Sequence, residues 1–254
     1  MDERGDIEVD PSVVLSDLHD AADAVVAAFA SQRDWGPSGN RSGQYASDVV
    51  ADRAIHDLLD PLGYGVLSEE SGLTPGAGPT VVVDPLDGST NASRGIPLYS
   101  TCLCAVDIEG PWIAVVADLV TGCRYDAVRG WGARRDGVQI KREWAPPLGE
   151  ALIAISGLPP RNLGWGQFRA FGSAALDLCA VAGGSVDGYV DCSEDAHGVW
   201  DYLAASLICE EAGVVVADAR GRELCILDPA ARRTPVAGAG PALAEVLLEA
   251  RQGF

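Results

Sequence analysis

Two aspartates stand three residues apart in an acidic segment, residues 84–91, which reads Asp-Pro-Leu-Asp-Gly-Ser-Thr-Asn. A β-branched run, residues 81–83, comes directly before it and indicates a buried strand that ends at the first carboxylate. The proline is rigid and the glycine permits a sharp turn, so Asp84, Asp87 and the Leu86 carbonyl could meet at one point. Two carboxylates and a carbonyl suit a hard cation such as Mg²⁺.

The second half of the same segment has the character of a phosphate-binding turn. Gly88, Ser89 and Thr90 are small and offer free backbone N–H groups, which a phosphate oxygen needs, above all at a helix N-terminus. The alternative interpretation is a capped turn, because Asp-Gly is a common turn dipeptide. The complete segment after a β-branched run favours the metal-and-phosphate interpretation.

Two other acidic features lie far from this segment in the sequence. Glu69 and Glu70 follow the short apolar stretch 65–67, and Asp201 follows Trp200 at the start of an apolar helical pattern. Each feature has a plain interpretation by itself, since adjacent acids are common on solvated surfaces and an aspartate in a first helical turn often only caps the helix.

Together the three features resemble the signatures of the inositol monophosphatase superfamily, the lithium-sensitive, magnesium-dependent phosphatases of sugars and polyols. Those signatures are a Glu-Glu pair after a short strand, a D-P-[IL]-D-G-[ST]-[ST]-N segment and a late W-D, and they occur here in that order. Gly-Ser-Ala-Ala-Leu at 172–176 and Glu-Ala-Gly at 211–213 are similar to further segments of the family. The resemblance covers residues 13–250.

The resemblance implies a cofactor of two to three Mg²⁺ ions. One ion would be held by Glu69, Asp84 and the Leu86 carbonyl, and a second by Asp84, Asp87 and Asp201. A third, weaker ion would sit near Glu69. Such a site would support two-metal phosphoryl transfer to water without a covalent enzyme intermediate.

The resemblance also implies catalytic and substrate-binding residues. Glu69 and the Ser89 hydroxyl would orient and deprotonate a metal-bound water. Asp52 matches a supporting aspartate that would bond to Ser89 or the metal waters, although it could also be an exposed helix residue. Contacts to the phosphate or substrate are expected from Asp87, Gly88, Ser89, Thr90, Ser173, Ala174, either Asp191 or Glu194, and Asp201.

The choice between Asp191 and Glu194 stays open. The position just after Tyr189-Val190 favours Asp191, whereas counting back from Trp200-Asp201 favours Glu194, because the segment 191–198 is longer than usual for the family. The loop before the second helix carries Arg41 and Gln44 where the family often has a lysine. These departures bear on the identity of the substrate.

The rest of the sequence predicts a mixed α and β fold, of the α+β or α/β class. Helical spacing predicts helices at 13–30, from a cap at Ser47 or Asp48 to 59, and at 173–182, 200–212 and 241–251. Strand patterns occupy 65–67, 81–83, 99–108, 112–120, 122–128, 151–155, 186–190, 214–217 and 235–237, and Asp136-Gly137 indicates a hairpin.

A Pro-Pro pair at 146–147 suggests a boundary between two subdomains. We expect an N-terminal α+β subdomain, 1–145, with an antiparallel sheet and most metal ligands. A C-terminal α/β subdomain, 146–254, would carry the substrate-recognition segment. The resemblance implies that they form a layered α-β-α-β-α sandwich of the inositol monophosphatase and fructose-1,6-bisphosphatase type.

Composition narrows the partners. The chain has 254 residues and a net charge of −19, and its one lysine is Lys141. Such a charge repels nucleic acids and anionic membranes, so we expect neither as a partner, and a bound cation must offset the carboxylates of any phosphate site. No secretory signal or transmembrane pattern is recognisable, which predicts a cytoplasmic protein. Seven cysteines without a C-x-x-C pair indicate reduced core residues, among them Cys102 and Cys104 on one strand face.

The sequence therefore predicts a phosphoric monoester hydrolase that acts on a small phosphorylated metabolite. Inositol monophosphate or a related sugar or polyol phosphate is the expected substrate. Histidinol phosphate, fructose 1,6-bisphosphate and adenosine 3′,5′-bisphosphate are alternatives on the same scaffold, and a non-catalytic metal- or ligand-binding regulator is the alternative from another class. The resemblance also implies lithium sensitivity and a homodimer.

Overall fold

The computed structural model describes residues 10–254, and this part of the chain contains six α-helices and thirteen strands. The helices are α1 (Pro11–Phe29), α2 (Ala46–Leu59), α3 (Ser89–Ser93), α4 (Ala174–Ala182), α5 (Val199–Glu211) and α6 (Pro241–Gln252). The strands are β1 (Gly65–Ser68), β2 (Gly72–Thr74), β3 (Thr80–Asp87), β4 (Ser100–Asp107), β5 (Gly110–Asp118), β6 (Arg124–Val128), β7 (Gly132–Arg135), β8 (Val138–Ile140), β9 (Leu152–Ser156), β10 (Gln167–Arg169), β11 (Gly188–Asp191), β12 (Val215–Asp218) and β13 (Pro235–Gly238).

These strands form two sheets. The first has eight strands in the order β2-β1-β3-β4-β5-β6-β7-β8, and all its neighbours are antiparallel except β1 and β3. The second has five strands in the order β10-β9-β11-β13-β12, with β9 parallel to both of its neighbours. The last strand of the first sheet ends at Ile140 and the first strand of the second begins at Leu152, so the predicted boundary near 145 lies between the sheets. The division into subdomains stays a prediction.

The two sheets and the helices stack in five layers. Val81 and Val83 face α1 and α2 on the outer side of the first sheet, whereas Val82 points the other way, as alternate strand residues must. Helices α4 and α5 fill the space between the sheets, in one apolar core that includes Val82 and Tyr189. Helix α6 covers the far side of the second sheet. The predicted α-β-α-β-α sandwich is therefore confirmed.

The acidic segment differs from its predicted form. Strand β3 does not end at Asp84 but continues to Asp87, and its pairing with β4 shifts between the two: Asp84 lies opposite Cys102 and Asp87 opposite Ser100. Between these two pairs β3 advances by three residues and β4 by only two, so β3 contains a β-bulge. Residues three apart on a regular strand face opposite sides, so the bulge is what turns both carboxylates toward α4 and α5.

Helix α2 also begins differently from the prediction. Tyr45 occupies the N-cap, and Ser47 and Asp48 both lie within the first turn. The Asp48 carboxylate reaches back and accepts a hydrogen bond from the Tyr45 N–H at 2.8 Å. The aspartate therefore satisfies the helix N-terminus from inside the helix.

Three short elements were missed by the sequence patterns: β2, α3 and β10, each of three to five residues. Cys102 and Cys104 face the core between the sheets, side by side as predicted, and neither is disulfide-bonded. Within residues 10–254, no helix is long and apolar enough to cross a membrane.

Candidate active site

Three acids from distant parts of the sequence meet between the two sheets. Each of Glu69, Asp84 and Asp201 offers one carboxylate oxygen, and these oxygens all lie within 4.8 Å of one another. Glu69 directly follows β1, where its backbone N–H donates to the Val83 carbonyl at 3.1 Å, and Asp201 lies in the first turn of α5. The parallel pairing of β1 with β3 therefore brings the first two acids together, and the packing of α5 against the first sheet adds the third.

Asp87 stands beside this group and is held by the N-terminus of α4. Its Oδ2 accepts hydrogen bonds from the Ser173 hydroxyl at 2.6 Å and from the Ala175 N–H at 2.9 Å. Burial raises the pKa of Asp87 to about 6, while the bonds from Ser173, Ala175 and Ala174 act in the opposite direction. The α4 N-terminus thus fixes a charged form of this carboxylate that burial alone would disfavour.

The concentration of buried carboxylates perturbs the other acids strongly. Burial, followed by repulsion from Glu69, Asp87 and Asp201, raises the pKa of Asp84 well above its usual value. Burial and repulsion from Glu69 and Asp87 do the same for Asp201. The pKa of Glu69 rises to about 7, again through burial first. Carboxylates arranged in this way repel one another unless a cation lies among them.

The donor set fits a hard cation. All three converging ligands are carboxylates, and neither a histidine nor a cysteine belongs to the group found within residues 10–254. Oxygen-only ligands suit Mg²⁺ or Ca²⁺ rather than Zn²⁺. Leu86 is buried, and its N–H donates to Asp84 Oδ1 at 3.0 Å, which orients that carboxylate. The predicted role of the Leu86 carbonyl as a ligand stays a prediction.

The predicted phosphate turn lies next to these acids. Gly88 has a φ of +87°, and a Cβ there would lie 3.0 Å from the Leu98 carbonyl oxygen, so glycine is favoured on both counts. Ser89 begins α3 and lines the cleft described below. Thr90 is exposed, and its hydroxyl lies 3.3 Å from the Tyr45 hydroxyl. Asn91 donates to the Leu98 and Phe171 carbonyls, which ties the turn to the segment before α4.

A cleft of about 550 Å³ opens beside the acids. Its walls come from the loop before α2 and the first turn of that helix, the segment after β1, the starts of α3 and α5, and the chain before β13. The lining residues include Arg41, Gln44, Asp48, Glu69, Glu70, Ser89, Trp200, Pro229 and Arg232. This volume lies in the range of small-metabolite sites.

Asp48 is a site residue that the sequence patterns did not identify. It is 3 % exposed, lines the cleft, and its Oδ1 has no hydrogen-bond partner within residues 10–254. Burial and repulsion from Glu70 raise the pKa of Asp48 to about 7. Asp48 precedes Asp52 by four residues, so helical periodicity places the two on one face, and that spacing was the available signal.

Asp52 does not occupy its predicted place. Its carboxylate accepts hydrogen bonds from the hydroxyls of Ser68 and Ser71, and His56 Nε2 lies 3.9 Å away. No hydrogen bond joins it to Ser89 in the described part of the chain. Its contacts hold the segment that carries Glu69, because α2 packs beside β1 and places this carboxylate behind the Glu-Glu pair rather than in the cleft.

Glu70 and the loop residues form the rim of the cleft. Arg41 Nη2 lies 2.7 Å from the Glu70 carboxylate and donates to the Glu69 carbonyl at 3.0 Å. The Gln44 amide also donates to Glu70. The two residues that replace the family lysine therefore tie the loop before α2 to the Glu-Glu pair.

The predicted substrate residues of the C-terminal half lie away from the cleft. Ser173 is 1 % exposed, and its hydroxyl serves Asp87; Ala174 is buried at the start of α4. Glu194 is 74 % exposed, pairs with Arg220 and lines a different cavity. None of these side chains lines the cleft beside the acids, because the α4 N-terminus faces Asp87 and Glu194 is exposed at a different cavity.

Asp191 is fully buried, and a histidine lies between its carboxylate and the acidic centre. His197 lies between the two carboxylates, with Nε2 3.8 Å from Asp191 Oδ2 and Nδ1 3.6 Å from Asp201 Oδ2. The Tyr189 hydroxyl lies 2.9 Å from His197 Nε2. Burial, with the charge of Arg232, lowers the pKa of His197 to about 4, so the imidazole is neutral at pH 7. Of the two open alternatives, Asp191 is the one that lies near the centre.

The layered α-β-α-β-α fold is shared with solved structures described as inositol monophosphatases or as similar to them. The family model described as the inositol monophosphatase family matches residues 46–253, and the chain belongs to this family. It is accordingly a phosphatase, a hydrolase of phosphate esters.

Individual relatives have several names. A Thermococcus kodakarensis protein named fructose-1,6-bisphosphatase/inositol-1-monophosphatase is 36 % identical over 209 residues, which is 80 % of each chain. A Salmonella typhimurium protein named Nus factor SuhB is 34 % identical over 226 residues, 82 % of this chain and 80 % of the relative. A solved Pyrococcus horikoshii structure, described as having similarities to inositol-1 monophosphatase, has a TM-score of 0.80 at 24 % identity and covers 94 % of this chain and 96 % of that one.

Proposed function

We propose that this phosphatase is a magnesium-dependent phosphomonoesterase that hydrolyses a small sugar or polyol phosphate, inositol monophosphate or a related ester, by attack of a metal-activated water. The observation that carries the proposal is the convergence of Glu69, Asp84 and Asp201 within 4.8 Å beside a cleft that Ser89 lines. The histidinol phosphate, fructose 1,6-bisphosphate and adenosine 3′,5′-bisphosphate alternatives share the same chemistry.

The proposed cofactor is two to three Mg²⁺ ions held by Glu69, Asp84, the Leu86 carbonyl, Asp87 and Asp201. When bound, such ions lower the pKa of a coordinated water and neutralise charge on the phosphate oxygens. Hydrogen bonds from neighbouring backbone groups fix the orientation of three of these carboxylates. The Leu86 N–H donates to Asp84, the Gly198 N–H donates to Asp201 at 2.7 Å, and the N-terminus of α4 donates to Asp87.

Two acids are placed to handle the proton of the attacking water. Glu69 and Asp48 both line the cleft, and the Oδ1 of Asp48 has no protein donor within residues 10–254. A buried acceptor that lacks a protein partner is suited to accept a hydrogen bond from water or substrate. We assign proton transfer to Glu69, with the Ser89 hydroxyl, and add Asp48 as a second acceptor on the same wall.

The phosphate would be bound at the start of α3. The backbone N–H groups of Gly88 and Ser89 precede the first complete turn, where a helix has no carbonyl partners for its N–H groups. Asn91 keeps this turn in place through its bonds to the Leu98 and Phe171 carbonyls. Thr90 and the C-terminal candidates Ser173, Ala174, Asp191 and Glu194 would influence substrate binding through neighbours rather than by contact.

The remaining expectations concern the partners, the oligomeric state, the location and the inhibition of the enzyme. Membership of the phosphatase family supports a small phosphorylated metabolite as the partner, and the net charge of −19 argues against nucleic acids and anionic membranes. A homodimer, a cytoplasmic location and inhibition by lithium stay predictions. A non-catalytic regulator on the same scaffold is disfavoured, because every expected carboxylate ligand is present.

The test is phosphate release across a panel of small phosphomonoesters, with and without Mg²⁺. The expected result is hydrolysis of at least one ester that depends on Mg²⁺ and is inhibited by Li⁺. Calorimetry should report Mg²⁺ binding in the same preparation. Binding of Mg²⁺ without turnover of any ester would contradict the enzymatic proposal and favour the regulator.

A further inference from the structure

Two arginines line the acidic cleft, and they differ in their partners. The guanidinium of Arg41 is committed to Glu70 at 2.7 Å and to the Glu69 carbonyl at 3.0 Å. Arg232, by contrast, has no carboxylate within 4.0 Å anywhere in residues 10–254. It is therefore a cationic side chain of the cleft without a contacting carboxylate. Its charge acts on Asp201 and His197 only over a longer distance, where it opposes the rise that burial causes in the pKa of Asp201 and adds to the fall that burial causes in the pKa of His197.

Specific contacts hold Arg232 in this position. Its guanidinium carbon lies 5.2 Å from the centre of the Trp200 ring, over the ring face. Its Nη1 donates to the carbonyls of Pro229 at 2.9 Å and Ala231 at 2.8 Å. Nε and Nη2 donate to no group in the described part of the chain. Stacking thus occupies one face of the guanidinium and leaves an edge with N–H donors, the form in which arginine binds phosphate or carboxylate.

Arg232 has no contacting carboxylate although its surroundings are acidic. The chain carries a net charge of −19, and Trp200 directly precedes Asp201 of the acidic centre. A flexible arginine next to such acids would gain energy by pairing with one of them. The Trp200 ring and the two carbonyls prevent this pairing and keep the charge on the wall of the cleft.

The proposed position of the scissile phosphate is at Ser89 and Glu69, which line the same cleft as Arg232. A substrate that fills about 550 Å³ can contact both this position and Arg232. We propose that Arg232 binds a second anionic group of the substrate, a phosphate or a carboxylate, so that the site prefers phosphate esters with an anion remote from the scissile phosphate. This inference rests on the proposed phosphatase activity and names a class of substrate for it.

Three esters of one six-carbon chain test the inference. Glucitol 6-phosphate is neutral at C1, gluconate 6-phosphate has a carboxylate there, and glucitol 1,6-bisphosphate has a second phosphate. In the wild-type protein, kcat/KM should be higher for one or both of the doubly anionic esters, and the comparison of these two tells a carboxylate site from a phosphate site. Arg232→Gln should lower kcat/KM on the preferred ester by roughly 10- to 100-fold, mainly through KM, as expected for a hydrogen bond to a charged group. The effect on glucitol 6-phosphate should stay within about threefold, and Arg232→Lys should recover part of the loss.

Arg53→Gln is the matched control, because it removes the same charge from the outer face of α2, where the Arg53 side chain is 82 % exposed. It should leave all three values of kcat/KM unchanged. An equal loss on all three esters in Arg232→Gln would overturn the inference, since Arg232 would then serve the scissile phosphate or the fold. The absence of any loss would overturn it as well.

Binding separates this inference from the proposed activity. Calorimetry of the preferred doubly anionic ester, with the protein loaded with Ca²⁺, measures the Arg232 contact without turnover. If no ester is hydrolysed but Arg232→Gln weakens this binding by roughly 10-fold or more, the phosphatase proposal fails and the assignment of Arg232 holds. If the affinity does not depend on Arg232, the assignment is wrong.

Discussion

The Ser173 hydroxyl donates a hydrogen bond to Asp87 over 2.6 Å, across 86 residues of sequence. The bond joins the N-terminus of α4, in the layer between the sheets, to the last residue of β3. It fixes the orientation of the carboxylate that the bulge in β3 has turned toward α4. The helix layer between the two sheets thus orients a carboxylate that belongs to the first sheet.

Replacement of Ser173 by alanine should weaken Mg²⁺ binding. The variant removes one of the two shortest donors to Asp87, and loss of a supporting hydrogen bond at a metal site costs about 10- to 100-fold in metal affinity or activity. The measurement is the Mg²⁺ dependence of phosphate release, with calorimetry of Mg²⁺ binding. Ser206→Ala is the control, because the Ser206 hydroxyl is buried in α5 without a partner in residues 10–254. Equal Mg²⁺ affinity in the two variants would contradict the role given to Ser173.

Asp48 and Asp52 should differ in what their replacement affects. Asp48→Asn removes a carboxylate that can take up a proton in the cleft and leaves an amide oxygen that cannot, so kcat should fall about 100-fold or more with the fold retained. Asp52→Asn weakens the bonds to the Ser68 and Ser71 hydroxyls, so its main effect should be a loss of about 1–3 kcal/mol in the free energy of unfolding. Steady-state kinetics and denaturant unfolding of both variants distinguish them. A larger loss of kcat in the Asp52 variant would restore the role predicted from the sequence.

The stability of the metal-free protein should fall as pH rises above about 6.5. Glu69 and Asp48 have pKa values raised to about 7, and the pKa values of Asp84 and Asp201 are raised well above their usual range, in each case chiefly by burial. Unfolding returns these groups to pKa values of about 4, so the folded state binds more protons in this window and loses stability as they ionise. His197, with its pKa lowered to about 4, acts in the opposite direction, but its contribution is constant above the ordinary histidine pKa of about 6.5.

The measurement is the melting temperature between pH 6.5 and pH 8, roughly the window in which these acids titrate, in EDTA and in Mg²⁺. In EDTA the melting temperature should decline with pH. In Mg²⁺ the decline should disappear or reverse, because the ion binds the ionised carboxylates. A melting temperature in EDTA that rises over this range would show that the buried acids do not repel one another as described.

The sequence was sufficient for the class of fold and for the identity of the converging acids. The β-branched run before Asp84, the Glu-Glu pair and the Trp200-Asp201 pair each left a local signal, and the resemblance joined them. The bulge was not predictable in the same way, since the spacing of Asp84 and Asp87 fits a turn as well as a bulged strand. The choice depends on the register with β4, a contact that lies outside the segment.

Side chains that reach the site through packing were harder to predict. Asp48 and Asp52 share a helical face, and which of them enters the cleft depends on how α2 lies against β1. Arg232 contacts Trp200 across 31 intervening positions, and no local pattern connects them. Ser173 was identified as a site residue, but its role depends on the position of Asp87, which only the folded chain supplies.

The most direct test of the account measures phosphate release as a function of Mg²⁺ concentration in the wild-type protein and in Asp201→Asn. The wild type should be inactive in EDTA and saturate with Mg²⁺, whereas Asp201→Asn should lose activity by about 100-fold or more at every Mg²⁺ concentration. The metal-free melting temperature of the variant should be no lower than that of the wild type, because a neutral amide replaces a carboxyl group whose ionisation is opposed by burial and by the neighbouring acids. Activity of the wild type in EDTA, or near-normal Mg²⁺-dependent turnover by Asp201→Asn, would contradict the assignment of Glu69, Asp84 and Asp201 as the metal centre.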